Sequence, residues 1–542
     1  MAGKHLGNDL TAGETITDGA RRSFVGNALG IAAGATALGI TESTPLLAQA
    51  PPAAPLSQTN PRDPAGMPPP GAPPAQRLFR LECDVMDCEI EGKLPPDLGG
   101  IFYRVGPDAQ YPMNPHNIPF DGEGHVSLFR FENGRVSFRS RYARNQRYKA
   151  QAAAHKILFP MYRNPAVDDP SVQNVSRGTA NTHILYWRKH LLAFKEDSPP
   201  VAMNPLTLET VDDYYTFDGQ LESKTFTAHP KIDAVTGNMI AFGYEARGFG
   251  SDEVNVFEYT PDGKRVWNTW IKVPYVGMLH DFAVTQKHVV FYVFPLAIDH
   301  EQMKRGGIHW SWDGTKPTYF GFMRRGGDGK EIQWVKGPTR SSTHVMGAFD
   351  DGNKIVVDVE MSEFNPFPFM PFRDDTKWDP IRGSSRITRL SVDLSHKTPK
   401  DYQIETLYAD YLGALPRIDD RYLTVPYRFG FLPCQEVGSP SFGGSNCYAR
   451  FDHQTRTTQL YKAPPGTTLA EACFAPKNKG APEGAGYLMG VATRAKEGGR
   501  SDLLVFDAER LNDGPIATVK LPTRVVGQIH GWWVPAESLP TA

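Results

Sequence analysis

An all-β, seven-bladed β-propeller, with loops and short helices capping its active-site face, is the fold this sequence predicts, and three observations predict it. From about residue 77 onward, short apolar or alternating runs are separated by turn signals. No segment keeps a 3.6-residue apolar period over the length a major helix needs. Four histidines, His229, His280, His344 and His530, stand at the ends of strand-like runs at intervals of 51, 64 and 186 residues. The last interval is three times 62, and dividing the roughly 465 residues after residue 76 by that repeat leaves between seven and eight units. Radial repetition leaves only short protected edges and brings inner strand ends to a common axis.

The N-terminal residues 1–50 carry paired arginines, Arg21 and Arg22, then Phe24, a mild Ala/Gly/Leu stretch and an AQA ending at Ala50. That pattern predicts a twin-arginine signal peptide and a periplasmic destination, because the apolar stretch is too short and too weakly hydrophobic for a spanning helix. Residues 51–76 are too rich in Pro and Gly to pack and predict an extended linker. Residues 77–542 then form a single propeller domain, since no second linker interrupts them.

Within that domain the runs GGIFYRVG, HVSLFRFENGRVSFRSRYA, HILYWRKHLLAFKED, EVNVFEYTPDGKRVWNTWI, HVVFYVFPL and KIVVDVEM predict antiparallel hairpins, with ENG and PDG as turns. One short helix is expected around residues 146–158. Five cysteines, Cys83, Cys88, Cys434, Cys447 and Cys473, show no CxxC spacing, which argues against a zinc site. An odd count forbids a complete disulfide framework. Cys83 with Cys88, or Cys434 with Cys447, can bridge, but small buried hydrophobes are the favoured reading. The run FNPFPFMPF, Phe364 to Phe372, reads equally as the wall of a tunnel for a flat aromatic molecule or as a folded-over core loop. A formal charge of −2 shows no basic excess, so nucleic acid is not an expected partner.

The histidine quartet carries the chemistry. Each of the four is flanked by small or apolar residues, whereas His5, His155, His190, His300, His396 and His453 sit among polar neighbours and read as surface residues. Imidazoles converging without thiolate or carboxylate suit Fe, Cu or Zn, and four that leave open positions suit Fe(II) and dioxygen.

The four histidine contexts, together with FDGEGHV (Phe120 to Val126), RGTANTH (Arg177 to His183), KEDSPPVAMNPLTLET (Lys195 to Thr210), LPRIDDRY (Leu415 to Tyr422) and EACFAPK (Glu471 to Lys477), resemble the carotenoid cleavage oxygenase family. The likeness spans nearly the whole chain after the linker. It implies a propeller with non-haem Fe(II) on its axis and scission of a carbon–carbon double bond by O2. Within the family the chain looks most like the lignostilbene dioxygenases, which cleave phenolic stilbenes. That resemblance implies that Tyr162 and Lys195 hold the 4-hydroxyl of the substrate, that Phe120 packs on its ring, and that Glu196 and Glu471 each orient a histidine. It also implies a third such glutamate immediately before LPRI, where this chain has Ala414. One histidine is thus expected to lose its carboxylate: either a water, another carboxylate or an altered iron occupancy compensates, or the protein is crippled, and an engineered substitution is a further alternative.

The expected partners are a small aromatic substrate and O2, with at most weak peripheral membrane contact and a possible homodimer. Two rivals stand beside the stilbene reading inside the family, cleavage of an apocarotenoid and cleavage of a phenylpropene of the isoeugenol type. A rival of another class is a non-catalytic binding propeller, which the missing glutamate favours. A calcium-dependent propeller hydrolase would place oxygens rather than imidazoles on the axis.

Overall fold

The structure, a computed structural model, describes residues 79–540 apart from 375, 397–398 and 438–441. The leader and the linker lie outside the described residues. What remains is a seven-bladed β-propeller.

Local sequence rules explain the strands. Along Arg135–Tyr142, Val136, Phe138, Ser140 and Tyr142 point inward while Arg135, Arg139 and Arg141 point out, the two-residue alternation of a half-buried strand. It pairs with Glu123–Glu132 through a turn at Asn133 and Gly134, with φ of 53° and 73°, the left-handed pair that a tight hairpin needs. Strands nearer the axis, such as Met239–Gly243, are buried on both faces and lose the alternation.

Blade one comprises His530–Pro535, Gly100–Asp108, Glu123–Glu132, Arg135–Tyr142 and Cys83–Val85. Blade two runs from His183–Trp187 to Thr210–Asp212, blade three from Lys231–Ile232 to Arg265–Lys272, and blade four from Phe282–Val284 to Gln333–Gly337. Blade five runs from Val345–Asp351 to Gln403–Thr406, blade six spans Tyr411–Gly413 to Thr457–Lys462, and blade seven starts with Thr467–Pro476. Both ends of the domain close the ring: His530–Pro535 pairs with Gly100–Asp108, and the early strand Glu89–Gly92 pairs with Ala517–Lys520 of blade seven. First strands of neighbouring blades touch, His530–Pro535 against His183–Trp187 and Phe282–Val284 against Val345–Asp351. Aromatic side chains fill the wedges between blades. Phe226, for example, stacks on Phe217 at 5.1 Å and on Phe194 at 5.6 Å between blades two and three.

The helix expected over 146–158 is Gln146–Ala154. Asn145 caps its start by accepting from the Tyr148 amide at 2.8 Å, and His155 ends it in the left-handed conformation at φ 53°. The Leu158 amide then bonds to Gln151 Oε1 at 3.0 Å instead of extending the helix.

Two surface expectations need correction. His155, His300 and His396 are exposed, but His190 and His453 are half-buried. His453 packs against Tyr408 and Tyr427 at 5.6 and 5.1 Å, and burial pushes its pKa down to about 4. Polar neighbours in sequence misrepresent a ring that turns inward beside Tyr408. All five cysteines are free thiols, four of them buried, in keeping with the small-hydrophobe reading; Cys434 and Cys447 face each other across adjacent strands. Among the described residues no helix is long and apolar enough to cross a membrane.

Candidate metal centre

A propeller strand begins near the axis, and each of the four histidines sits at such a beginning. His229 and His280 precede their blades' first strands by two residues, His344 by one, and His530 opens its own strand. Their ligand nitrogens lie within 4.8 Å of one another, so the sequence spacing does converge on one point. His280 Nε2 stands 3.1 Å from both His229 Nε2 and His344 Nε2, and His530 Nε2 is buried with no hydrogen-bond partner.

These contacts fit a cation. The Nδ1 atoms of His280, His344 and His530 each donate to a carboxylate, which leaves the Nε2 atoms with lone pairs. His280 Nε2 and His344 Nε2 then face each other lone pair to lone pair at 3.1 Å, an arrangement that a positive ion between them stabilises. Burial, against the pull of Glu471, pushes the His530 pKa down to about 4, so its imidazole is neutral and ready to ligate.

The carboxylates come from three blades. Glu196 bonds to His280 through a very short contact, and Glu471 Oε1 accepts from His530 Nδ1 at 2.7 Å. Burial by itself would raise both carboxyls; Lys195 and His280 outweigh it at Glu196, and Arg417 and His530 do so at Glu471, so both are ionised. The expectation that one histidine lacks a carboxylate is corrected. Ala414 is exposed, but Glu360 in the second strand of blade five places Oε1 2.9 Å from His344 Nδ1. Its other oxygen accepts from the Leu415 amide at 2.8 Å. Of the alternatives open at Ala414, another carboxylate is the one the fold supplies.

Tyr162 and Lys195 meet beside the cluster. The Lys195 ammonium lies 5.2 Å from the Tyr162 ring centre and 3.7 Å from Glu196 Oε2, and both side chains are buried. Burial pushes the Tyr162 phenol up to about 12 against the opposing effect of Lys195. Burial works to lower the Lys195 pKa, yet Tyr162 and Glu196 raise it above the usual lysine value. Both shifts favour a protonated Lys195 and a protonated Tyr162 near neutral pH, with the Glu196 carboxylate facing the ammonium. The corner that carries Tyr162 is tightly held: its amide donates to Asn117 Oδ1 at 2.8 Å, and its carbonyl accepts from the His309 amide at 3.2 Å. Arg163 beside it pairs with Glu245 and reaches the Tyr244 hydroxyl at 3.3 Å.

Phe120 is half-buried and meets Phe369 at 5.1 Å and Phe367 at 6.5 Å, both edge-on. The Phe364 to Phe372 run is thus a buried loop that also forms an aromatic wall beside Phe120. The FDGEG motif owes its shape to neighbours. Asn181 Nδ2 donates to the carbonyls of Phe120 and Gly122 at 2.7 and 2.6 Å, and Arg147 pairs with Asp121 and Glu123 at 3.1 and 3.0 Å. A Cβ on Gly124 would lie 2.1 Å from the Ala180 carbonyl oxygen, so only glycine permits this approach.

Sequence reasoning missed several members of the site. Glu360 ends an apolar run and reads as a strand end. His183, inside RGTANTH, fills the position between His530 and His229, with ring centres 5.3 and 5.4 Å away. It lines a cavity of about 50 Å³ with Lys231, Arg417 and Asp420, on a side of the cluster that Tyr162, Lys195 and Phe120 do not line. The signal for His183 was its place at the opening of a blade's first strand, as for His530.

Comparisons with known proteins agree with this architecture. The family model described as retinal pigment epithelial membrane protein matches residues 77–535. Lignostilbene-α,β-dioxygenase isozyme III of Sphingomonas paucimobilis is 39% identical over 478 residues, covering 86% of this chain and 97% of that protein. Isoeugenol monooxygenase of Pseudomonas putida is 36% identical over 461 residues, covering 84% and 95%. The crystal structure of Pseudomonas brassicacearum lignostilbene dioxygenase superposes with a TM-score of 0.81 at 37% identity, covering 85% of this chain and 97% of that one. With the matched model spanning most of the chain, the protein belongs to the retinal pigment epithelial membrane protein family, the carotenoid cleavage oxygenases.

Proposed function

We propose that this protein is an Fe(II)-dependent dioxygenase that cleaves the central double bond of a 4-hydroxystilbene with O2 and releases two aromatic aldehydes. The observation that carries the reading is the pairing of four converging imidazoles with a buried Lys195–Tyr162 pair at their side. His229, His280, His344 and His530 would hold the iron, which when bound supplies the dioxygen chemistry. The residues of the chain supply geometry and charge. Lys195, kept cationic, stabilises negative charge that develops on a phenol oxygen, and Tyr162, kept protonated, donates a hydrogen bond to the same atom. Electron density released from that oxygen runs through the ring to the vinylic carbon and activates it. Phe120 and the Phe367–Phe369 wall orient the flat ring by edge contacts.

The similarity to lignostilbene dioxygenases supports a stilbene over other substrates. Aerobic incubation of Fe(II)-loaded protein with resveratrol and with a lignin-type stilbene, followed by mass analysis, tests it. Benzaldehyde products are expected from at least one. A second reading, cleavage of a phenylpropene, is favoured by the likeness to isoeugenol monooxygenase, and offering isoeugenol in parallel separates the two. Residues 1–50 are read as a twin-arginine signal that sends the folded enzyme to the periplasm, which fractionation of producing cells would test.

A further inference from the structure

The cavity beside His183 touches three of the four imidazoles, His229, His344 and His530, and none of Phe120, Tyr162 and Lys195 lines it. Its volume of about 50 Å³ holds about three to five water-sized guests at roughly 10–15 Å³ each. Asp420 marks the end nearest solvent, since its side chain is 22% exposed while that of His530 is 4% exposed. Apolar side chains such as Met346, Ile418 and Trp532 complete the wall.

Each charged group on the wall has a partner. Lys231 Nζ pairs with Asp281 at 2.7 Å, Arg417 pairs with Asp420 at 2.8 Å and stands 3.4 Å from Glu471, and Glu471 holds His530. His183 differs. It is only 6% exposed, and its Nδ1 is buried with no hydrogen-bond partner. Buried polar groups are nearly always hydrogen-bonded, so an idle imidazole on a cavity wall points to a ligand. Its ring centre lies 5.3 Å from that of His530 and 5.4 Å from that of His229, yet it stands outside the quartet whose ligand nitrogens converge within 4.8 Å. It is one step from the centre rather than a member of it.

A hydrated divalent ion that reaches the quartet must exchange its waters for protein donors in steps, and carboxylate and imidazole are suited to that exchange. The aromatic side offers few. Lys195 has only N–H donors, Tyr162 is a neutral phenol, and Phe120, Phe367 and Phe369 present rings. On the cavity side a carboxylate has about four lone-pair sites, and Arg417 Nη2 takes one on each oxygen of Asp420, at 3.1 and 2.8 Å. The two cations that line this cavity, Lys231 and Arg417, are outnumbered by Asp281, Asp420 and Glu471. We propose that the cavity is the entry route of the metal ion, and that His183 is a transient ligand that receives the ion from Asp420 at the rim and passes it to His229 and His530. Each step exchanges one ligand for another with no change in oxidation state. The inference rests on the reading of the quartet as a metal centre and is independent of the stilbene.

Co(II), whose visible absorption changes as imidazole replaces water, is the probe, added to the chelator-treated whole chain in a rapid-mixing experiment. His183→Ala is expected to slow both association and dissociation of Co(II) several-fold and to leave the dissociation constant unchanged, because a group used only in transit affects the two directions alike. His183→Cys, which returns a ligating side chain to the position, is expected to recover much of the rate. Asp420→Asn is expected to slow association as well, and it carries the test where variants at position 183 do not fold. Unchanged rates in a folded variant overturn the entry route. A weaker dissociation constant with the association rate intact also overturns it, since His183 would then be a support of the quartet. Wild-type protein that binds no Co(II) overturns the metal centre and the route together, whereas binding with unchanged variant rates overturns the route alone.

Discussion

Lys195 is only 5% exposed, and its charge has no solvent to share it with, so the neighbouring Glu196 and Tyr162 set its state. Replacing it with Met keeps the length and removes the charge. Lys195→Met is expected to lower kcat/KM for a 4-hydroxystilbene by about 100-fold or more, the scale of losing one preorganised charge-stabilising donor. Iron content, read by metal analysis, should stay near that of the wild type. Glu360 makes a different prediction, because it acts through His344. Glu360→Gln is expected to raise the metal dissociation constant by about 10- to 100-fold. Adding Ala414→Glu to that variant should recover part of the loss, since the adjoining Leu415 amide already touches the Glu360 carboxylate. Equilibrium dialysis against Fe(II) measures both. The histidine quartet was legible in the sequence because one ligand per blade leaves a repeating interval. Glu360 was not legible, because its partner lies across a hairpin and nothing in KIVVDVEM distinguishes an inward carboxylate from a solvated strand end.

Elements of the ring are tied to one another at the far end of their first strands by a polar network around Asp233. Arg325, just past a blade-four strand, pairs with Asp233 Oδ2 at 2.6 Å and with Glu258 of blade three at 2.7 Å, while Thr424 and Gln286 both donate to Asp233 Oδ1, at 3.0 and 2.8 Å. Burial would raise the Asp233 carboxyl, but the Val235 amide, Gln286 and Arg325 outweigh it and hold its pKa well below the usual carboxylate value. A depressed folded-state pKa means that the network's stabilisation is complete above the unfolded value of about 3.9 and is lost as pH falls toward the folded one. Wild-type protein should thus lose thermal stability on acidification below about pH 4 more steeply than Asp233→Asn, which starts lower and changes less; parallel slopes would remove Asp233 from the account. The strands themselves were readable from alternation and turn residues, as at Arg135–Tyr142 and Asn133–Gly134. What alternation does not carry is which side chains from separate blades meet, and the Asp233 network joins residues as far apart as 191 positions.

For the whole molecule, a metal that binds only the folded ring adds stability by mass action. Free metal at 100 times its dissociation constant contributes about 2.7 kcal/mol, so the thermal midpoint should climb with Fe(II) concentration and fall on chelation. The carboxylate bonds to His280, His344 and His530 do not depend on the ion, so the chelated protein should keep its β-rich circular dichroism at 25 °C. A midpoint indifferent to chelator would mean that the four imidazoles hold no ion.

The strand His530–Pro535 is both the inner edge of blade one and the carrier of the fourth imidazole. It belongs to the end of the chain, yet it pairs with Gly100–Asp108, near the start of the domain. During synthesis, therefore, a nascent polypeptide can assemble three of the histidine-bearing blades while it still cannot grip an ion with all four nitrogens. The fourth imidazole joins the other three only once His530–Pro535 has paired with Gly100–Asp108, so an ion that needs all four nitrogens would be held only by a chain whose first blade is complete.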